Sequence, residues 1–243
     1  MDYNVIITAG GTSERIDNVR KITNSGSGKL GFIIANKLIP NGSINKIYYI
    51  CSKESYKPTN PKVEVIEIID TKELQDVVKS LLSNNTIHYF IHSMAVSDYT
   101  VDYVTTVKEL AQEIENKANL SITDAIINFS NGIKNSKISS YEKDLIIKLK
   151  PTPKIISMIK DLSPHTFLVG FKLLDHVSKD ELLETAIKLK DKNHCEMVIA
   201  NDLSNIRNGN HEAFIIRKDN SFIQAYGKED IAEKLVKEMF QNV

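Results

Sequence analysis

The chain has 243 residues, of which 42% are hydrophobic and 26% charged, a composition typical of a folded globular protein. Its 31 basic and 31 acidic residues balance, so no excess positive field favours nucleic acid as a partner. No run approaches the roughly 20 apolar residues of a membrane-spanning helix, and the first residues, MDYNVIITAGG, lack the basic region of a secretory signal. Only two cysteines occur, Cys51 and Cys195, in no metal-ligand spacing. We therefore expect a reduced, cytoplasmic protein with a small substrate.

Short β-branched and aromatic runs alternate with helical patterns along the chain. In the first half, the runs 3–9, 46–51, 63–69 and 87–92 predict buried parallel strands. Residues 30–38 and 74–82 keep the 3.6-residue spacing of an amphipathic helix. The second half continues with strands at 167–171 and 197–200, a helix capped by Ser178 and a last helix from about Lys228. This alternation predicts an α/β fold, a Rossmann-like, mostly parallel sheet with helices on both faces.

Two further segments predict an arm and a hairpin. In 144–150, three apolar residues alternate with Ile146, Lys148 and Lys150, which is typical of a strand with one face in water. The runs 213–217 and 221–226 predict a β-hairpin. We expect one domain over residues 1–243, with a flap or arm at about 135–152 and the hairpin at about 205–226. A two-stranded arm is marginal alone in water, so we expect it to pack on a second subunit.

Glycine-rich turns are the first candidates for a binding site. Gly10 and Gly11 follow the first strand, where they form either a tight turn or a close approach to a ligand. Gly26, Gly28 and Gly31 have G-x-G-x-x-G spacing just before the first helix, where free amides can hold phosphate. About sixteen residues separate this loop from the strand and no acid ends the second strand, which counts against NAD. Leu30 stands where a Walker A loop has Ser or Thr.

Two later segments are also candidates. In HSMAVSDY, Asp98 either accepts hydrogen bonds from ribose hydroxyls or is an ordinary solvated acid. Thr152 and Pro153 have the pattern of an N-cap followed by the first residue of a helix. The amides of the next residues, 154–156, then form a second potential anion site.

Taken together, seven ordered segments make the sequence resemble phosphopantothenoylcysteine synthetase. The segments are TAGGT-x-E-x-I-D-x-V-R (8–20), Asn24 before the Ser/Gly loop, MAVSD (94–98), Lys137 in KISS, PKII (153–156), GFKL (170–173) and AND (200–202). The resemblance implies a ligase that joins 4′-phosphopantothenate to L-cysteine, with CTP preferred, ATP as the other candidate, and Mg²⁺. In such enzymes the carboxylate is activated as an acyl-nucleotidylate, which the cysteine amine then resolves.

The resemblance also implies roles for individual residues. Asn24 matches the asparagine associated with binding and resolving the intermediate, and Lys137 the flap lysine of the first half-reaction. Asp98 is expected at the ribose, and the backbone near Met94, Ala95 and Phe171 at the base. The remaining implied nucleotide contacts are Gly10, Gly11, Ser25, Ser27, Gly28, Pro153, Lys154, Ile155, Ile156, Lys188 and Lys192. No metal ligands are implied.

The sequence departs from the family pattern at one position of the loop, and the resemblance also implies an oligomeric state. Gly26 occupies the first serine position of the family's Asn-x-Ser-Ser-Gly loop, so Ser25 or Ser27 is expected to replace its hydroxyl. The chain begins at the synthetase strand, as in the stand-alone form, and the family's dimers predict a homodimer with shared active sites.

The sequence leaves two alternative functions open, a short-chain-dehydrogenase-like oxidoreductase and a non-catalytic nucleotide-binding module. Tyr49 and Lys53 have the Tyr-x-x-x-Lys spacing of a short-chain dehydrogenase, but at a strand end this spacing does not place both on one face. A non-catalytic nucleotide-binding module with the same fold is the second. The six histidines form no catalytic pattern, and His92 is expected to be positional.

Overall fold

The computed structural model describes residues 2–117, 119–133, 137–207 and 211–241. The described strands, in chain order, are β1 (Tyr3–Ala9), β2 (Ser13–Arg15), β3 (Lys21–Thr23), β4 (Ile44–Ser52), β5 (Val63–Ile68), β6 (Tyr89–His92), β7 (Tyr99–Thr106), β8 (Leu145–Pro151), β9 (Phe167–Leu174), β10 (Met197–Asp202), β11 (Glu212–Ile216) and β12 (Phe222–Tyr226). The described helices are α1 (Lys29–Leu38), α2 (Thr71–Asn84), α3 (Val107–Asn116), α4 (Ile122–Ile127), α5 (Ile155–Leu162), α6 (Lys179–Lys192), α7 (Leu203–Arg207) and α8 (Gly227–Gln241).

The chain divides into two compact units, each assembled from separate segments. The first unit holds Met1–Thr12, Asn24–Val96 and Lys154–Val243, and the second holds Ser13–Thr23 and Ser97–Pro153. The assignment of all 243 residues to one synthetase domain stays a prediction.

The first unit is built on an eight-stranded sheet with the order β12-β11-β10-β9-β6-β1-β4-β5. Every pairing from β10 to β5 is parallel, whereas β11 pairs antiparallel with both β10 and β12. The mostly parallel sheet is thus confirmed. The predicted hairpin is the pair β11 and β12, although positions 208–210 of its expected range lie outside the described residues.

Helices cover both faces of this sheet, because successive strand residues point to opposite sides. On one face, Val5 and Ile7 of β1 pack with apolar residues of α1 and α8. On the other face, Ile6 packs with residues of α2, α5 and α6. All three β1 side chains are fully buried, which explains why the run reads as continuously apolar rather than alternating.

The second unit contains two antiparallel pairs, β2 with β3 and β7 with β8, together with α3 and α4. The helix α3 begins with a complete capping box formed by Thr106 and Glu109. The pair of β7 and β8 corresponds to the predicted arm, whose positions 135 and 136 lie outside the described residues. The alternation in β8 places the apolar Leu145, Ile147 and Leu149 on the exposed side, at 37 to 41% exposure.

Lys148, which lies between these apolar residues, points toward β7. Lys148 forms an ion pair with Asp102 at 2.8 Å and lies over the ring of Tyr103, with 5.3 Å between Nζ and the ring centroid. Its aliphatic stem therefore covers β7, while the ammonium is neutralised locally. The strand β8 has one solvent-exposed face, as expected, but the apolar residues Leu145, Ile147 and Leu149 lie on that face.

The predicted helix start at Thr152 and Pro153 is wrong. The helix α5 begins at Ile155, and its N-cap residue is Lys154, which makes no side-chain capping bond. The Thr152 hydroxyl instead donates to the Ser97 carbonyl at 2.5 Å, and the Thr152 amide donates to the Asp98 carbonyl at 3.0 Å. Thr152 and Pro153 therefore extend the arm rather than start the helix.

Candidate active site

The order of the sheet places a topological switch point between β1 and β6. After β1 the chain continues through α1 to β4 on one side, and after β5 it returns through α2 to β6 on the other side. Ligands of open α/β sheets bind at the carboxyl ends of the strands at such a point. Here the two strand ends are the turns at Gly10–Gly11 and at Ser93–Ala95.

These two turns are joined by hydrogen bonds. The Ala95 amide donates to the Gly10 carbonyl at 2.9 Å, and the Thr12 amide donates to the Ala95 carbonyl at 3.1 Å. Met94 is buried, whereas Ala95 is exposed at the edge. The structure thus brings together Gly10, Gly11, Met94 and Ala95, four residues singled out from the sequence.

The Asn24–Gly28 loop lies directly against the first turn. The Asn24 amide donates to the Thr12 carbonyl at 3.0 Å. A Cβ at Gly11 would lie only 1.9 Å from the Asn24 carbonyl oxygen, and a Cβ at Gly26 would lie 2.6 Å from the Gly10 carbonyl oxygen. Only glycine permits this separation, so the backbones of the two segments are packed in contact.

The contact at Gly26 explains the departure from the family loop. A serine there would drive its Cβ into the Gly10 backbone. Ser25 and Ser27, which are both exposed, remain the hydroxyls of this loop. The loop ends at Gly28, which has φ 68° and precedes α1 without a side-chain capping bond. The first turn of α1 therefore offers backbone amides and a positive helix end at the same edge.

Four residues that the sequence reading did not assign to the site hold this loop. The Tyr56 amide donates to the Ser27 carbonyl at 3.1 Å, and the Tyr49 hydroxyl donates to the Tyr56 carbonyl at 3.0 Å. The hydroxyls of Ser52 and Ser55 bond each other at 2.7 Å beside Gly10. Serines and tyrosines of this kind are common in loops, and only the C-terminal position of β4 could have marked them.

The same contacts argue against the dehydrogenase alternative. Tyr49 is fully buried in β4, and burial raises the pKa of its hydroxyl well above the usual range. A tyrosine that exchanges protons in catalysis needs a pKa near the working pH. Tyr49 is therefore a structural hydrogen-bond donor.

His92 supports the switch point from beneath. Its Nδ1 lies 2.9 Å from the Thr8 hydroxyl oxygen, which also accepts from the Met94 amide at 3.3 Å. Burial lowers the pKa of His92 to about 4, so the ring is neutral at neutral pH. The positional role expected for His92 agrees with these bonds.

The AND segment closes β10 with a similar structural role. Asp202 accepts hydrogen bonds from the Ser204 hydroxyl and from the amides of His176, Val177 and Ser204. These bonds, with that of the Ser204 hydroxyl the largest, hold the pKa of Asp202 well below its usual range. The carboxylate thereby fixes the turn that leads into α6.

The predicted contacts on α5 and β9 lie on different faces of the sheet. Ile155 and Ile156 pack in the cluster with α2 and α6, whereas Phe171 packs in the cluster with α1 and α8. Gly170 lets α5 and α6 pack closely on β9, since a Cβ at this position would lie 3.2 Å from side-chain atoms of both Ile156 and Leu189. Lys154 is exposed just before α5. Their nucleotide contacts stay predictions.

Lys188 and Lys192 are not brought to the switch point. The helix α6 starts at Lys179 after the carboxyl end of β9 and runs back toward the start of β10, so the two lysines lie roughly 13 and 20 Å along its axis. Lys188 is exposed and pairs with Glu184 at 2.5 Å. Within a single chain, α6 therefore gives no geometric support to these two contacts.

A surface cavity of about 600 Å³ lies near the end of α6, and its lining includes Lys160, Lys190 and Glu196. Lys160 pairs with Glu196 at 2.7 Å, and Lys190 pairs with Asp191 at 2.9 Å. None of the residues predicted for the active site lines it, and these four charges are paired with one another.

The second unit carries three of the predicted residues. Asp98 and Lys137 are exposed, as is Pro153 at the end of the arm. The amide of Ile138, next to Lys137, donates to Asp17 Oδ2 at 3.1 Å, and Arg20 Nη2 donates to the Ile138 carbonyl at 3.3 Å. The I-D-x-V-R segment therefore contacts the chain beside the predicted catalytic lysine.

Across the described residues, no three His, Cys, Asp or Glu side chains come together as a metal site. Over the same ranges, no helix combines the length and apolar character that crossing a bilayer requires.

The sequence profile of a known family covers the whole chain. The DNA/pantothenate metabolism flavoprotein C-terminal domain matches residues 1–130 and 103–243. The chain belongs to this family. The family resemblance drawn from the seven motifs is therefore confirmed.

Individual relatives agree with the family assignment. The coenzyme A biosynthesis bifunctional protein CoaBC of Thermococcus kodakarensis is 30% identical over 95% of this chain and 49% of its own length. The chain spans about half the length of the curated relatives it matches. Among solved structures, the DNA/pantothenate metabolism flavoprotein from Streptococcus pneumoniae is 36% identical, with a TM-score of 0.84 over 98% of both chains. A Cab2 mutant in complex with phosphopantothenate-cysteine shares the fold, with 18% identity and a TM-score of 0.67 over 97% of this chain and 86% of that one.

Proposed function

We propose that this chain is a phosphopantothenate–cysteine ligase of coenzyme A biosynthesis. The observation that carries the proposal is the packing of the Asn24–Gly28 loop against Gly10–Gly11, beside Ala95, at the switch point of the sheet. The first turn of α1 follows this loop directly, and its positive helix end suits an anionic nucleotide. The substrates are suggested by the names of its relatives, which are proteins of coenzyme A biosynthesis.

The proposed reaction has two steps. In the first, a carboxylate oxygen of 4′-phosphopantothenate bonds to the α-phosphorus of CTP or ATP, and the bond to the departing pyrophosphate breaks. In the second, the amine of L-cysteine bonds to the acyl carbon, the nucleoside monophosphate leaves, and the amine loses a proton. The product is 4′-phosphopantothenoylcysteine.

Two side chains have distinct roles in this scheme. Lys137 is exposed and carries a fixed positive charge, which would stabilise the negative charge that builds on the phosphate oxygens in the first step. Asn24 is half-buried in the packed loop and would hold the acyl-nucleotidylate for attack in the second step. Asp98 and the other predicted contacts remain proposed ligands of the nucleotide.

Mg²⁺ is proposed as a companion of the nucleotide rather than as a resident of the protein. Mg²⁺ on a triphosphate takes most of its ligands from phosphate oxygens and water, with one or two carboxylates. The ion would supply charge neutralisation when bound.

The exposed arm supports the proposal of a homodimer. Leu145, Ile147, Leu149 and Tyr99 are all exposed on the two strands, Tyr99 at 58%. A two-stranded arm with apolar side chains in water gains stability by covering them with a second chain. Sedimentation of the active protein is expected to give a dimer, and a fully active monomer at all concentrations would refute this part of the proposal.

The test separates the two steps. The protein is incubated with 4′-phosphopantothenate, Mg²⁺ and CTP or ATP, with and without cysteine, while pyrophosphate and the acyl-nucleotide are measured. Lys137→Gln is expected to lower pyrophosphate release by about 10²–10³-fold, the usual cost of one lost charge contact. Asn24→Asp is expected to form the intermediate but use it poorly.

Two results would contradict the proposal. Equal loss of both steps in both variants would remove the separate roles of Lys137 and Asn24. Nucleotide binding by the wild-type chain without pyrophosphate release, with all substrates present, would favour the non-catalytic module instead.

A further inference from the structure

The side chain of Asp17 divides its hydrogen bonds between a local turn and a distant segment. Its Oδ1 accepts from the amides of Val19 and Arg20 at 2.7 and 2.6 Å. Its Oδ2 accepts from the amide of Ile138 at 3.1 Å and from Arg20 Nη1 at 3.4 Å. The carboxylate itself is 1% exposed. One oxygen therefore shapes the turn, and the other holds a segment more than a hundred residues away.

Ile138 is fixed through its amide, its carbonyl and its side chain. Its amide donates to Asp17, its carbonyl accepts from Arg20 Nη2 at 3.3 Å, and its side chain is 1% exposed. The preceding residue, Lys137, is exposed. The backbone is thus anchored one residue from the lysine, while the side chain of the lysine stays accessible.

We propose that Asp17 is a positioning residue for Lys137: it anchors Ile138 so that the lysine is held in a catalytically useful place. The inference rests on the proposed function of Lys137. A long, flexible cation stabilises a transition state best when its backbone is fixed in advance, and a displacement of about 1 Å in such a site can cost about 10²-fold in rate.

The ionisation of Asp17 agrees with this role. The hydrogen bond from the Ile138 amide is the largest cause that lowers the pKa of the carboxyl below its ordinary value, ahead of the bonds from Arg20 and Val19. The carboxylate is therefore charged at neutral pH and accepts all of these bonds.

The two oxygens allow variants that separate the turn from the anchor. Asp17→Asn keeps an oxygen for the turn but can turn an NH₂ group toward the Ile138 amide and the Arg20 guanidinium, which are both donors. Asp17→Ser keeps a short acceptor for the turn and removes the second oxygen. Asp219→Asn is the matched control, because Asp219 accepts from the amide and hydroxyl of Ser221 in an exposed turn of the β11–β12 hairpin.

The first measurement needs no ligand. Trypsin cleaves after lysine, and cleavage between Lys137 and Ile138 requires this segment to open. Mass spectrometry of timed digests is expected to show this cleavage at least about 10-fold faster in both Asp17 variants than in wild type and in Asp219→Asn.

The second measurement is pyrophosphate release without cysteine. Asp17→Asn is expected to lower it by about 10- to 100-fold, with little change in Asp219→Asn. In the double variant Asp17→Asn/Lys137→Gln, little further loss is expected beyond Lys137→Gln alone, because a residue that acts through Lys137 has nothing left to position.

The outcomes separate the anchor from the function. Unchanged cleavage in both Asp17 variants, or losses that multiply in the double variant, would overturn the proposal. Failure of both variants to fold would also overturn it, because Asp17 would then hold the unit rather than the lysine. A third result is faster cleavage of the Asp17 variants combined with no pyrophosphate release by the wild type. It would support the contact between Asp17 and Ile138 but refute its catalytic role, together with the proposed function.

Discussion

Replacement of Gly11 by alanine tests the contact between the first turn and the Asn24 loop. The new Cβ would lie 1.9 Å from the Asn24 carbonyl oxygen and 2.9 Å from its carbonyl carbon, both backbone atoms. An ordinary contact begins at 3.4 Å, so the Asn24 carbonyl must retreat by about 1.5 Å. The adjoining bond between the Asn24 amide and the Thr12 carbonyl shares this backbone and would be strained.

The expected effects follow from that retreat. Overpacking of this kind costs about 1–3 kcal/mol in the free energy of unfolding. Because Asn24 itself is displaced, the second step of the proposed reaction should fall by about 10²-fold. Urea unfolding measures the first effect, and conversion of accumulated acyl-nucleotide by added cysteine measures the second.

Gly42→Ala is the matched control, since a Cβ at Gly42 meets nothing within 4 Å. It is expected to leave the reaction unchanged and to alter stability by less than about 1 kcal/mol. Equal results for Gly11→Ala and Gly42→Ala in both assays would show that the two backbones are not in contact.

Three further predictions concern individual contacts. Gly26→Ser should weaken nucleotide binding rather than restore a family hydroxyl, since its Cβ would lie 2.6 Å from the Gly10 carbonyl oxygen; calorimetric titration with CTP and with ATP that gives tighter binding would contradict this. Thr152→Val removes the hydroxyl bond to the Ser97 carbonyl and should lower the free energy of unfolding by about 1 kcal/mol, and urea unfolding with an unchanged midpoint would be the contrary result. His92, whose pKa burial lowers from 6.5 to about 4, binds a proton more readily when unfolded, so its stabilising contribution is complete above pH 6.5 and declines by up to about 3 kcal/mol as pH falls toward 4. His92→Asn should remove that part of the pH dependence of unfolding, whereas the same change at exposed His165 should retain it.

The sheet was predictable because its strands are buried on both faces. Residues 3–9 were predicted as a strand, and β1 has the same bounds, since continuous burial requires a continuous apolar run. By contrast, β2 and β3 were not predicted, because strands of three partly polar residues leave no periodic signal. Their pairing depends on each other rather than on local sequence.

Contacts between residues distant in the sequence account for what local patterns missed. Thr152 has a good N-cap pattern, but its hydroxyl bonds to Ser97, which is 55 positions earlier in the sequence. Local sequence cannot reveal such a competitor. Likewise, the packing of Gly26 on Gly10 depends on the path of the loop, although the glycines themselves were singled out from their spacing.

The order of the strands also has a consequence for synthesis of the chain. The edge of β6 that pairs with β9 is complete at His92, but β9 begins only at Phe167. At 5–20 residues per second, a ribosome needs about 4 to 15 s to translate the intervening stretch. Throughout that interval a nascent chain presents the unpaired, apolar edge of Tyr89–His92, so we expect this stage to be the most prone to aggregation and the most responsive to chaperones.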